Sequence, residues 1–216
     1  MQLQDKHIIF LGDSITEGSG ASCYENCFVN IFQQLSKSIV YNFGKCGTRI
    51  AKQQAPYPIA EFDKNFIDRV DSMPNNADII VVFGGTNDFG HGDAPLGCFE
   101  DRTENSFYGA CHTLFSKLIT KYPSAEIIIL TPLHRVSEDD TKNVLDLPCA
   151  PLKKYVDAEK EVATYYSFPI LDLWSISGLQ PKHMANLNSY FSDDIHPNDN
   201  GHRRIANRLY NFLITL

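Results

Sequence analysis

The sequence is short of positive charge. Lysine and arginine number 19 against 26 aspartates and glutamates, a formal net charge of −7. Nucleic acid and anionic membrane surfaces are held by basic stripes, and none runs through this chain, so neither is expected as the main partner. The like-charge pairs Lys153-Lys154 and Arg203-Arg204 read as solvated helix faces. Long apolar runs are also missing, and no window approaches the roughly eighteen residues of a membrane span. The opening "MQLQDKHIIFLGDS" has no basic leader, long apolar stretch or small-residue cleavage site, so no signal peptide is expected. The six cysteines are scattered through a chain large enough to fold without staples. Reduced thiols in a cytoplasmic protein are the expectation. Cys23 and Cys27 lack a second Cys/His pair at ligand spacing, and no metal or other cofactor is expected. Repeats, low-complexity tracts and linkers are absent, which leaves one domain over residues 1–216.

What the chain does have is alternation. Five short, nearly unbroken apolar runs, at 7–12, 39–43, 78–84, 126–130 and 168–173, suit strands buried on both faces of a parallel sheet. Helical periodicity falls between them at about 24–36, 59–71, 104–121 and 151–166, and after them at about 198–214. In that last segment Ile205, Leu209 and Phe212 form one face while Arg203, Arg204 and Arg208 lie on another. The pattern predicts a three-layer α/β/α sandwich with right-handed crossovers. Long connections at 44–58, 88–103 and 131–150 each follow a strand. They belong at the carboxyl edge of the sheet, where open α/β folds bind ligands.

Four polar blocks sit at that edge. "GDSIT" ends the first strand and offers the Ser14 hydroxyl before a helix; Ser or Thr there also serves as an ordinary N-cap. "NFGKCG" supplies two glycines that let a backbone N–H approach a ligand, and "GGTND" supplies the Asn87 amide. "DDIHPN" puts Asp193 three residues before His196, where a turn can bring carboxylate to imidazole; a cap beside a surface histidine fits that spacing equally well.

Taken together and in this order, the blocks resemble the SGNH (GDSL-type) hydrolases, over residues 8 to about 210. The resemblance implies a flavodoxin-like five-stranded parallel sheet with Ser14 beside its switch point. It implies Ser14 as nucleophile, His196 as general base and then acid, and Asp193 as the partner that orients His196. The oxyanion donors would be the Ser14 N–H, the Gly47 N–H and the Asn87 side-chain amide. Gly47 is preferred to Gly44 because the family's glycine lies five residues after the strand-end asparagine, here Asn42. Asp13, Asp88 and Asp194 read as loop braces. No G-x-S-x-G surrounds Ser14, which sets the chain apart from α/β-hydrolases.

The substrate is expected to be a small-molecule or carbohydrate ester with a short, acetyl-type acyl group. Phe89, His134 and Arg135 are the candidate substrate contacts, with Tyr57, His91, Phe99 and Tyr190 further edge residues. A lysophospholipase or thioesterase is the alternative acylhydrolase, and a silent carbohydrate-binding member is the alternative outside catalysis. A metal-dependent hydrolase built on Asp193, Asp194, His196 and His202 has no recognised ligand spacing.

Overall fold

The computed structural model describes residues 1–216. Five strands, β1 His7–Gly12, β2 Ile39–Gly44, β3 Ile79–Phe83, β4 Glu126–Leu130 and β5 Ile170–Leu171, form one all-parallel sheet in the order β2-β1-β3-β4-β5. The helices, in chain order, are α1 Ser14–Glu17, α2 Phe28–Ser36, α3 Phe66–Arg69, α4 Thr86–His91, α5 Phe107–Lys121, α6 Leu152–Tyr165, α7 Leu173–Ile176, α8 Met184–Tyr190 and α9 Asp199–Thr215. All six cysteines are unpaired thiols. No helix is long and apolar enough to cross a membrane.

Side-chain alternation along the strands makes two cores. Ile8, Phe10, Val81 and Ile128 pack with Phe28 and Phe32 of α2 and with Ile205, Leu209 and Leu213 of α9. Ile9, Leu11, Val82 and Ile129 face the opposite layer, filled by Phe66, Phe107, Phe115 and Val162 from α3, α5 and α6. Burial on both faces holds for β1 and β3, as the apolar runs predict. It fails for β2, an edge strand that is only half-buried with Ile39 exposed, and β5 has just two residues of ladder. The 24–36 helix starts only at Phe28, because Cys27 is extended after a single 3₁₀ turn at Tyr24–Asn26. The 59–71 segment is no continuous helix. Asn65 caps α3 by accepting the Asp68 N–H, and 3₁₀ turns at Ala60–Asp63 and Val70–Ser72 flank it.

The strand ends share one rung. Gly12 pairs with Gly44 and Phe83, Phe83 with Leu130, and Leu130 with Leu171. Ser14, Gly47, Asn87 and the 131–150 loop therefore all leave the sheet from the same level.

Candidate active site

Ser14 opens α1, whose N-cap is Asp13: the Asp13 carboxylate accepts the Ile15 N–H at 3.0 Å. Burial pushes that carboxyl up to about 6. Ser14 is itself buried, and its Oγ lies 3.0 Å from His196 Nε2. His196 Nδ1 lies 2.8 Å from Asp193 Oδ2, while Asp193 Oδ1 accepts the backbone N–H groups of Ile195 and His196 at 2.8 and 2.6 Å. Burial works to raise the Asp193 carboxyl, but these N–H groups and the ring outweigh it and hold it below the usual carboxylate range. The turn that places Asp193 is thus closed by the same carboxylate that holds the ring. With Nδ1–H donated to Asp193, the tautomer these partners select leaves Nε2 free to accept the Ser14 proton.

From Gly44 to Thr48 one backbone donor is free. Gly44 N–H donates to Asn42 Oδ1 (2.8 Å), Lys45 N–H to Gly12 O (3.1 Å), Cys46 N–H to Glu17 Oε2 (2.7 Å) and Thr48 N–H to Lys45 O (3.3 Å). Only the Gly47 N–H in this stretch has no acceptor, and Gly47 has φ +71°. The bond made by Gly44 is a structural reason to separate the two glycines. Asn87, in the first turn of α4, donates one amide hydrogen to Thr48 O at 3.1 Å, which ties it to the Gly47 loop and leaves its second hydrogen available.

Two arginines that the sequence did not single out underpin this edge. Arg69 donates to Phe43 O (2.5 Å), Gly12 O (3.0 Å) and Thr48 Oγ1 (3.0 Å), bridging the ends of β1 and β2, and burial lowers it to about 10. Fully buried Arg49 pairs with Asp63 at 2.6 Å and donates to Phe62 O and to His91 Nδ1 (3.1 Å). Burial, helped by Arg49, pushes His91 down to about 4. Asp88 accepts the Ile50 and Ala51 N–H groups at 3.0 and 2.8 Å, and burial pushes it up to about 7.

Comparisons with known proteins come down on one side. The profile of the GDSL-like Lipase/Acylhydrolase family matches residues 10–204. The chain belongs to that family. A solved structure from Lactobacillus plantarum is 29% identical with a TM-score of 0.83, covering 98% of both chains. A member of the lipolytic G-D-S-L family from Veillonella parvula is 20% identical with a TM-score of 0.65, covering 97% of this chain and 99% of that one. The lipase/acylhydrolase from Enterococcus faecalis is 17% identical with a TM-score of 0.67, covering 95% and 94%. No curated protein sequence matches. The five-stranded parallel sheet is the GDSL-family fold expected from the four blocks.

Of the expected substrate contacts of this GDSL-family acylhydrolase, Phe89 and Arg135 are buried, while His134 keeps 18% of its side chain exposed. Phe89 is 2% exposed and packs edge-on against Tyr155 in the core, because it lies on the inner face of α4. Arg135 is 6% exposed; it donates to Thr86 O and Oγ1 at 3.3 and 3.4 Å and to Ser137 Oγ, and its guanidinium lies over the Phe89 ring. It braces the residue before Asn87. His134 lies against Trp174, ring centroids 3.8 Å apart, with Nδ1 held by Glu138 at 2.8 Å. All three hold loops. Asp194 contributes its carbonyl, which accepts the Val136 N–H. His202 is fully buried with both ring nitrogens bonded to backbone, so it has no lone pair left for a metal.

Proposed function

We propose that this acylhydrolase is a serine esterase in which Ser14, His196 and Asp193 form the catalytic relay. The observation that carries the reading is the unbroken path from Ser14 Oγ through His196 to Asp193, at 3.0 and 2.8 Å. In the first step Ser14 Oγ attacks the ester carbonyl while Nε2 of His196 takes its proton. Asp193 stabilises the imidazolium. The developing oxyanion meets the Ser14 N–H, the Gly47 N–H and the second Asn87 amide hydrogen. The imidazolium then protonates the departing alcohol. Water repeats the sequence on the acyl-enzyme, with His196 as base.

The preferred substrates are short-acyl, acetyl-type esters of carbohydrates or small metabolites. The His196 and Asp193 side chains are 24% and 54% exposed, which fits a small acyl group presented at an open rim. One observation favours a longer acyl chain. A cleft of about 790 Å³ lies just beyond α4, lined by Ala94, Leu96, Leu147 and Ala150 among others. Val144 (72% exposed) and Leu145 stand open to solvent in the same loop. A panel of p-nitrophenyl esters from acetyl to dodecanoyl, run beside acetylated xylan with Ser14→Ala as blank, separates the two. Turnover confined to the short esters supports the first reading, and a dodecanoyl preference supports the second. Full activity in Ser14→Ala removes the serine mechanism.

A further inference from the structure

The motif that contains His196 continues with a second histidine that the proposed chemistry does not use. His202 lies in the first turns of α9, six residues after His196, and is fully buried. Its Nδ1 faces the Phe28 N–H at 3.2 Å, and its Nε2 faces Ser19 O at 3.0 Å. These partners fix the ring: Nδ1 can only accept and Nε2 can only donate, so the imidazole is neutral with its hydrogen on Nε2. Burial lowers its proton affinity in the same direction.

The two bonds do different things. Phe28 begins α2, whose N-cap residue Cys27 makes no side-chain capping bond, so His202 Nδ1 satisfies a first-turn donor of that helix. Ser19 belongs to the turn that closes α1. Its N–H donates to Ser14 O at 2.8 Å, beside the Gly18 N–H on the same carbonyl at 3.0 Å. A continuous chain of hydrogen bonds thus runs from the Ser14 backbone, through the Ser19 peptide, to His202 on the helix that follows His196. The next residue, Gly20, touches the histidine loop directly. A Cβ there would lie 2.2 Å from Pro197 O and 3.0 Å from His196 Cβ. Asp199 adds a second fastening, accepting the Ser22 N–H and Oγ–H at 2.7 Å each.

From this geometry we infer that His202 is a positioning residue: its Nε2–H bond to Ser19 O sets the separation of Ser14 Oγ from His196 Nε2. The inference rests on the esterase reading above. A shift of about 1 Å between nucleophile and base costs on the order of a hundredfold in rate, so a buried clip between their loops acts on kcat and leaves KM alone.

The test splits the two bonds. In His202→Gln the amide nitrogen can reach the place of Nε2 and keep the donation to Ser19 O. In His202→Asn the carbonyl oxygen stands near Nδ1 and keeps the α2 cap, while the Ser19 bond is lost. Turnover of p-nitrophenyl acetate and the rate of Ser14 labelling by a fluorophosphonate are read together with urea stability. The expected result is a kcat and labelling rate about tenfold or more lower in His202→Asn than in His202→Gln, at equal KM. Equal kcat in the two variants, or kcat that tracks stability alone, overturns the inference and leaves the esterase reading standing. A wild-type chain with neither Ser14-dependent turnover nor labelling overturns both. Imidazole ¹⁵N shifts of the folded wild type give a check that needs no variant: the Nε2–H tautomer is required, and an Nδ1–H tautomer would break the clip and end the argument.

Discussion

Replacing Gly47 by alanine tests whether the loop after β2 is built around one free N–H. The new Cβ would sit 2.3–2.4 Å from three atoms of the Phe62 ring, well inside contact distance. The ring has limited room to retreat, since Tyr57 stacks on it at 5.2 Å and His91 lies at 5.5 Å. Gly47 also has φ +71°, a conformation that costs an alanine about 1 kcal/mol. Overpacking adds about 1–3 kcal/mol, so the total loss is about 2–4 kcal/mol. On the proposed mechanism, relief by backbone movement would displace the Gly47 N–H from the oxyanion, with kcat falling on the order of a hundredfold. The assay is urea unfolding beside p-nitrophenyl acetate turnover, for Gly47→Ala, Phe62→Ala and the double variant. Removing the ring should cancel the steric part and leave about 1 kcal/mol of backbone cost, a coupling of about 1–3 kcal/mol in the cycle. A single variant within about 0.5 kcal/mol of wild type, or a double variant with no coupling, refutes the reasoning.

Other outcomes follow from the same geometry. Asn87→Ala is expected to lower kcat by about 10²–10³ with little change in KM, and an unchanged kcat in steady-state assays would remove its amide from the reaction. Arg135→Ala should destabilise the fold by about 1–3 kcal/mol, because buried Thr86 loses its donors. Chemical denaturation checks this, and a KM change at unaltered stability would restore Arg135 as a substrate contact. Asp88, raised by burial to about 7 against an ordinary 3.8, holds its proton in the folded chain where the unfolded chain has lost it. Its contribution to stability is therefore full below about pH 4, falls through the interval to about 7 and is then constant. The stability difference between wild type and Asp88→Asn should shrink over that interval, and urea midpoints that differ by a constant amount would rule out burial as the controlling influence.

The four polar blocks stood out in the sequence because three of them end strands and the fourth, between α8 and α9, has its chemistry local in the chain. Asp193 and His196 are three residues apart, and the turn between them is closed by Asp193 itself. β1 and β3 were legible as unbroken apolar runs because both faces are covered. β2 gave a similar run although one edge is bare, since edge position depends on strand order and leaves little trace in composition. The burial of Phe89 and Arg135 was hidden for a related reason. Phe89 and Arg135 follow strands, as functional residues do, but whether a side chain turns toward the cleft or the core depends on partners far along the chain. Tyr155 and Thr86 decide it. Arg49 and Arg69 carried no sequence signal, because their partners are backbone carbonyls, which any residues could provide, and side chains that only the fold brings near them, Asp63 and His91 for Arg49 and Thr48 for Arg69. His202 was visible only as a leftover histidine; its bonds to Ser19 and Phe28 cross more than 170 positions.

The strapping of the segment before α3 has an evolutionary corollary. Ile50 and Ala51 are pinned by Asp88, and Phe62 and Asp63 by Arg49. The residues between those two anchors lie outside any regular strand or long helix. Apart from Tyr57, which stacks on the Phe62 ring beside Gly47, their side chains make no contact with the Gly47 loop that constrains its backbone. Insertions or swaps there would redraw the rim that a leaving group meets while the reacting atoms keep their places. Selection for a new alcohol could act on that stretch alone.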